Sequence, residues 1–258
     1  MSGPALRVSA QLQPQHADWP AMRRAWCDAE ALGVDCLFNW DHFFPLDGDP
    51  DGRHFEALTV LAAMAEATER VELGSLVFCN GYRNPDYVAD AHRTLDHISG
   101  GRAILGIGAG WNRRDHDEYG YEFGTVGQRL TALEHALPRI ERRLARLNPP
   151  PLRDRIPILI GGGGVKRTLK LVARHADIWH AFGGVDVFRE KSAILDRHCA
   201  AEGRDPSEIE RSWVGGGDHD ALRGAGVTHF ILEVSGSPRG YDLGELRELV
   251  QWRDALSP

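Results

Sequence analysis

Short runs of aliphatic and β-branched residues alternate with longer helical patterns along the whole chain, and this alternation restricts the available folds more than any other feature. Strand-like runs at 6–12, 34–40, 71–78, 103–107, 156–160, 177–181, 211–214 and 228–234 are each followed by a helical pattern. Those patterns lie at 19–32, 55–68, 85–99, 128–147, 165–175, 187–202, 219–223 and 243–255. Such repetition implies parallel strands, because a chain returning in the same direction needs a crossover, usually a helix. The punctuation agrees. Pro20 falls in the first turn of the first helix and Gly33 just past its end, while Gly100 and Gly101 stop the third. Eight units in a row favour a closed barrel over an open doubly wound sheet, which uses about five or six strands. At 258 residues the chain has an ordinary length for one barrel, and no linker marks a second domain. The expected fold class is α/β, a (βα)8 TIM barrel with short insertions, with residues 1–258 as a single domain.

Composition removes several function classes. The net charge is −7 with both signs interleaved, which leaves no basic face for nucleic acid. No apolar run approaches the roughly 20 residues that span a bilayer. Residues 1–6 lack a basic segment followed by an apolar one, so cytoplasmic residence is expected. Cys27, Cys36, Cys79 and Cys199 form no C-x-x-C pair, so free thiols are expected rather than zinc or disulfides, and no metal site is anticipated. Lys166, Lys170 and Lys191 are the only lysines among 30 basic residues.

The site of a barrel lies at the C-terminal ends of its strands. Those ends carry Gln11 and Gln13, Asp41 and His42, Cys79 and Asn80, and the run from Gly108 to Asn112. They also carry Gly161, Gly162, Gly163 and Gly164, then Trp179 and His180, then Glu233. Paired acids for glycoside hydrolysis are not evident. The four consecutive glycines follow a strand and open a helix, an arrangement that suits a phosphate, with Lys166 and Arg167 as added cations. A plain tight turn is the alternative, and the spacing is not that of a P-loop. Gly106-x-Gly108-x-Gly110 fails as a dinucleotide fingerprint because Trp111 stands where the third glycine would be. As backbone access beneath a flat ring the same glycines make sense. Asp41-His42 reads either as a proton-carrying pair beside a redox ring or as a local loop tie. His54, His92, His97 and His175 read as packing or surface residues of helices, and the stretch Asp115-His116-Asp117-Glu118 as a solvated loop.

Together these residues resemble a known family. Asp41-His42-Phe43-Phe44-Pro45-Leu46, His54-Phe55-Glu56, Tyr82-Arg83-Asn84-Pro85 and the segment from Arg93 to Arg102 are similar to F420-dependent luciferase-like oxidoreductases. So are the runs Leu105–Trp111, Pro157–Gly164 and Ala176–Trp179. The resemblance implies coenzyme F420 lying across the strand ends, with FMN as the alternative cofactor. It implies a non-prolyl cis peptide at Leu76-Val77 behind the ring, and the phosphate on Gly161–Gly164. His42, Cys79, Asn80, Gly108, Gly110, Trp111 and Trp179 would surround the ring or the substrate.

Several family members place a glutamate after the fourth strand as a proton donor, where this chain has Trp111. His42 is then the first candidate for the proton, with Asp41 as its partner. The implied activity is hydride transfer between the deazaflavin C5 and a small organic substrate. An FMN-dependent monooxygenase and a non-catalytic deazaflavin-binding barrel are the alternatives. A homodimer is also implied, with Phe43 and Phe44 either at its contact or covering the cofactor mouth.

Overall fold

The computed structural model describes residues 5–214 and 217–256, so most of the N-terminal stretch read for a leader lies outside the described residues. Nine strand segments form one closed parallel sheet. They are β1 (Arg7–Leu12), β2 (Cys36–Asn39), β3 (Glu72–Ser75), β4 (Phe78–Cys79), β5 (Ala103–Gly108), β6 (Ile158–Gly161), β7 (Ile178–Ala181), β8 (Glu210–Val214) and β9 (His229–Val234). Both β3 and β4 pair with β5, so they are two halves of one barrel strand and the barrel has eight. The chain is a (βα)8 barrel.

The interruption of the third barrel strand, read from the sequence as continuous, has a specific geometry. Gly74 pairs with Ile104 and Phe78 with Ile107, so this strand carries one more residue than its partner between the two pairings. An extra residue on one strand is a bulge, which bends the strand and re-aims a side chain. The Leu76–Val77 peptide bond inside it is cis.

The helices are α1 (Trp19–Leu32), α2 (Ala57–Ala67), α3 (Pro85–Ile98), α4 (Arg113–Tyr119), α5 (Val126–Leu144), α6 (Thr168–His175), α7 (Val185–Glu202), α8 (His219–Ala225) and α9 (Gly244–Ala255). Their ends follow from side-chain capping. Asp18 accepts the Ala21 N–H at the start of α1, Asn84 accepts the Asp86 N–H before α3, and Thr125 with Gln128 forms a capping box on α5. The helix α4 was not expected. The stretch read as a solvated loop is helical, capped by Asn112 and ended by Gly120, with Asp115 and His116 buried. A small hairpin of β10 (Gly236–Ser237) and β11 (Gly240–Tyr241) was also missed, and the Tyr241 hydroxyl donates to Gln13 O at 2.7 Å.

Apolar burial is divided in two. The larger cluster lies between sheet and helices and includes Trp26, Trp179, Trp213 and Phe230. The smaller one, Cys36, Phe38, Leu76, Ile104, Leu159, Ile178 and Ile231, fills the lumen, as the alternation of strand side chains requires. Among the described residues Cys36, Cys79 and Cys199 are buried free thiols and Cys27 is half-buried. No helix among them is long and apolar enough to cross a membrane.

Below the lumen the strand starts carry an ionic floor. Arg7 bonds Glu210 at 3.0 Å and also meets Glu72, while Glu210 contacts His229, whose Nε2 pairs with Ser9 Oγ at 2.6 Å. Burial would raise the Glu210 carboxyl, but its hydrogen bond and charge contact with His229, together with Arg7, hold it down to about 2. A folded-state value below the unfolded one gives stability that is full above the unfolded pKa and lost as pH falls towards the folded one. Stability should therefore drop between about pH 4.5 and 2, by roughly 3 kcal/mol from this group. Urea midpoints measured across that range should show a shallower acid limb for Glu210→Gln than for the parent. Parallel limbs would contradict the assignment.

Candidate active site

The loop after β2 and the helix α4 after β5 meet above the barrel. Asp115, in the first turn of α4, is fully buried and uses both carboxylate oxygens. One accepts the Phe43 backbone N–H at 2.9 Å and the other accepts from His42 Nδ1 at 2.6 Å. Burial pushes the Asp115 carboxyl up, but the hydrogen bonds from His42 and Phe43 outweigh it and hold the group below its ordinary value. A carboxylate only accepts, so Nδ1 carries the proton and Nε2 is left as the exchangeable position. Trp40 and Trp111 meet the His42 ring edge-on at 5.4 and 5.5 Å, and Trp111 is 66% exposed.

Asp41 is therefore not the partner of His42. Its carboxylate is buried in a bidentate ion pair with Arg83, at 2.6 and 2.8 Å, and also accepts the Cys79 N–H at 2.9 Å. A buried carboxylate needs such partners, and these fix it as a tie between β2 and β4. Cys79 is buried and its thiol is pushed up to about 11 by burial, so it is neutral. It lies beneath Gly110, where a Cβ would run into its Sγ. Asn80 opens a short 3-10 turn and is half-buried. Phe43 stacks on Tyr119 at 4.0 Å, so its ring is packed within this chain.

The bulge sends Val77 across the lumen towards β5 and β6. Its Cγ2 stands 2.7 Å from the place a Cβ on Gly108 would take, and its Cγ1 3.0 Å from that on Gly161. A side chain at Gly108 would therefore collide with Val77. Leu76 is buried in the lumen and Val77 half-buried at its mouth.

The tetraglycine segment leaves β6 with Gly162 at φ +123°, a conformation that favours glycine, and the Gly162 N–H donates to His180 O at 2.9 Å. Among the described residues no protein acceptor takes the N–H groups of Gly163, Gly164 or Val165. Thr168 Oγ1, at the start of α6, stands 2.7 Å from the Cβ position of Gly164, and the Lys191 side chain from α7 lies over Gly163. Arg167 does not contribute: it is drawn to α5 by Glu134 at 2.7 Å and by Thr131 Oγ1 and Gly127 O at 3.0 Å. Lys166 is exposed.

Trp179 does not line the mouth either. It is fully buried between sheet and helices against Trp213 and Phe188, and its indole N–H donates to Gly162 O at 2.9 Å. Its role is to hold the glycine loop. His180 points inward and hydrogen-bonds Ser212 Oγ at 2.9 Å. Burial, then repulsion from His229, pushes it down to about 3, so it stays neutral.

Two groups result: His42, Asp115 and Trp111 on one side, and Val77, Gly161–Gly164, Thr168 and Lys191 on the other. The first can hold and orient a proton. The second offers unpaired N–H groups, a hydroxyl and an ammonium to an anion. Sequence reading missed Asp115, Arg83, Thr168 and Lys191. Asp115 had a local signal in the Asn112 and Gly120 that cap its helix, and Arg83 stood in the motif Tyr82-Arg83-Asn84-Pro85, without a role assigned to it.

The profile of the luciferase-like monooxygenase family matches residues 5–214. An uncharacterised protein of Mycobacterium tuberculosis is 29% identical over 183 residues, covering 62% of this chain and 64% of its own. An F420-dependent glucose-6-phosphate dehydrogenase of Kineococcus radiotolerans is 32% identical over 203 residues, covering 71% of this chain and 59% of that protein. The chain thus spans less than two thirds of the length of these relatives. A solved F420-dependent secondary alcohol dehydrogenase, in complex with an F420-acetone adduct, shares the fold with a TM-score of 0.82 over 98% of both chains at 16% identity. With the family profile extending over most of the barrel, the chain belongs to the luciferase-like monooxygenase family.

Proposed function

We propose that this chain is an F420-dependent oxidoreductase that moves a hydride between the deazaflavin and a small organic substrate. The carrying observation is the placement of an anion cradle and a carboxylate-held histidine at the same end of one barrel. The residues fit the cofactor. A phosphate suits the free N–H groups of Gly163, Gly164 and Val165, and the apolar bulge at Leu76 and Val77 suits the back of a flat ring. The F420-dependent enzymes among its relatives and fold neighbours support the same choice.

Bound F420 supplies hydride chemistry at C5, without the easy oxygen chemistry that N5 gives a flavin. The protein supplies position and proton handling. Asp115 fixes the His42 tautomer, so Nε2 takes or returns the proton that accompanies the hydride. Trp111 and Trp40 flank the His42 ring with apolar surface. Asp41 and Arg83 act through backbone placement, since both are engaged with each other.

A fluorescence titration with F420, run beside FMN, tests the cofactor. Saturable F420 binding at least about tenfold tighter than FMN is expected. The reverse order would give the case to an FMN-dependent monooxygenase, and binding of neither would make the glycine loop a structural turn. With a substrate found by screening, His42→Ala should lower kcat about 100-fold or more while F420 affinity changes little. Unchanged turnover would remove His42 from the chemistry.

A further inference from the structure

Lys191 is one of only three lysines in this arginine-rich chain, and it projects from the middle of α7 over the glycine loop. Its Nζ, Cε and Cδ all crowd the place that a Cβ on Gly163 would occupy, so its stem lies flat on bare backbone and its ammonium ends at the loop. The side chain is half-buried, and among the described residues it has no hydrogen-bond or carboxylate partner. The nearer cation in sequence, Arg167, is committed to Glu134 on α5. Beside Lys191 are the unused N–H groups of Gly163, Gly164 and Val165 and the Thr168 hydroxyl.

We propose that Lys191 is a cofactor-binding residue whose ammonium pairs with the phosphate of the deazaflavin side arm, completing the cradle with Thr168 Oγ1. This rests on the F420 reading above. The physical case is one of complementarity. A partly desolvated ammonium without a counterion is unfavourable, and a phosphodiester on the loop amides brings the missing negative charge. The amides and the hydroxyl supply directed hydrogen bonds, and the lysine supplies the point charge that they lack. Gly163 is needed because any side chain there would displace the lysine stem.

The test compares two ligands: F420, and the deazariboflavin that has the same ring and ribityl chain but no phosphate or tail. Each is titrated by fluorescence into the parent, Lys191→Gln and Lys191→Arg at low and high ionic strength. The F420 Kd should rise about tenfold in Lys191→Gln and recover largely in Lys191→Arg, while binding of the phosphate-free ligand stays the same. Salt should weaken F420 binding more in the parent than in Lys191→Gln. Equal F420 affinity in parent and Lys191→Gln would overturn the role of Lys191 and leave the deazaflavin reading standing. An equal loss for both ligands would also overturn it, reducing Lys191 to a support for the loop. A parent that binds neither ligand would remove both readings together.

Discussion

The lumen of a small barrel holds a fixed number of side chains, and a residue added on one strand displaces what its neighbours can carry. Here the bulge between Gly74 and Phe78 turns Val77 inward, into the space that side chains on Gly108 and Gly161 would fill. Those two positions are consequently glycine, at the rims of two adjacent strands. The exposed backbone at the end of β6 then continues directly into the glycine loop, held in place by the Trp179 indole on Gly162 O. A packing constraint inside the barrel and an anion-binding loop above it are thus one continuous piece of structure.

The two buried aspartates around this mouth show how context separates identical side chains. Asp41 directly precedes His42, yet its carboxylate is taken by a guanidinium and a backbone N–H. Asp115 lies in a different βα unit and is left with the imidazole. Both are satisfied as buried charges must be, but only Asp115 faces a group that can exchange a proton. The orientation of His42 therefore depends on α4 docking against the loop after β2. The Phe43 N–H to Asp115 bond and the stack of Phe43 on Tyr119 tie those same two segments together.

The barrel was legible from the sequence because strand and helix periods, prolines and glycines all agreed unit by unit. The split of the third strand could not be read from its own pattern, since β4 is only two residues long and Leu76-Val77-Phe78 reads as one strand; the family resemblance alone pointed to the cis bond at Leu76-Val77, which the bulge contains. Gly162 and His42 could be singled out because strand ends in a barrel point at one site. Partner choice was hidden. Asp115 and His42 are 73 residues apart, and Lys191 reaches Gly163 from another unit, so neither pairing has a sequence period. The expectation for Trp179 failed on side-chain parity: neighbouring residues of β7 face opposite ways, and it is His180 that points inward.

A crystal structure of the chain with F420 is the most direct measurement of the central claim, that the bulge and the glycine loop form one cofactor seat facing His42. The account predicts the phosphate on the amides of Gly163, Gly164 and Val165, with the ring backed by Val77 and its open face towards His42. A phosphate bound elsewhere, or a ring that leaves Val77 uncovered and His42 remote, would contradict it.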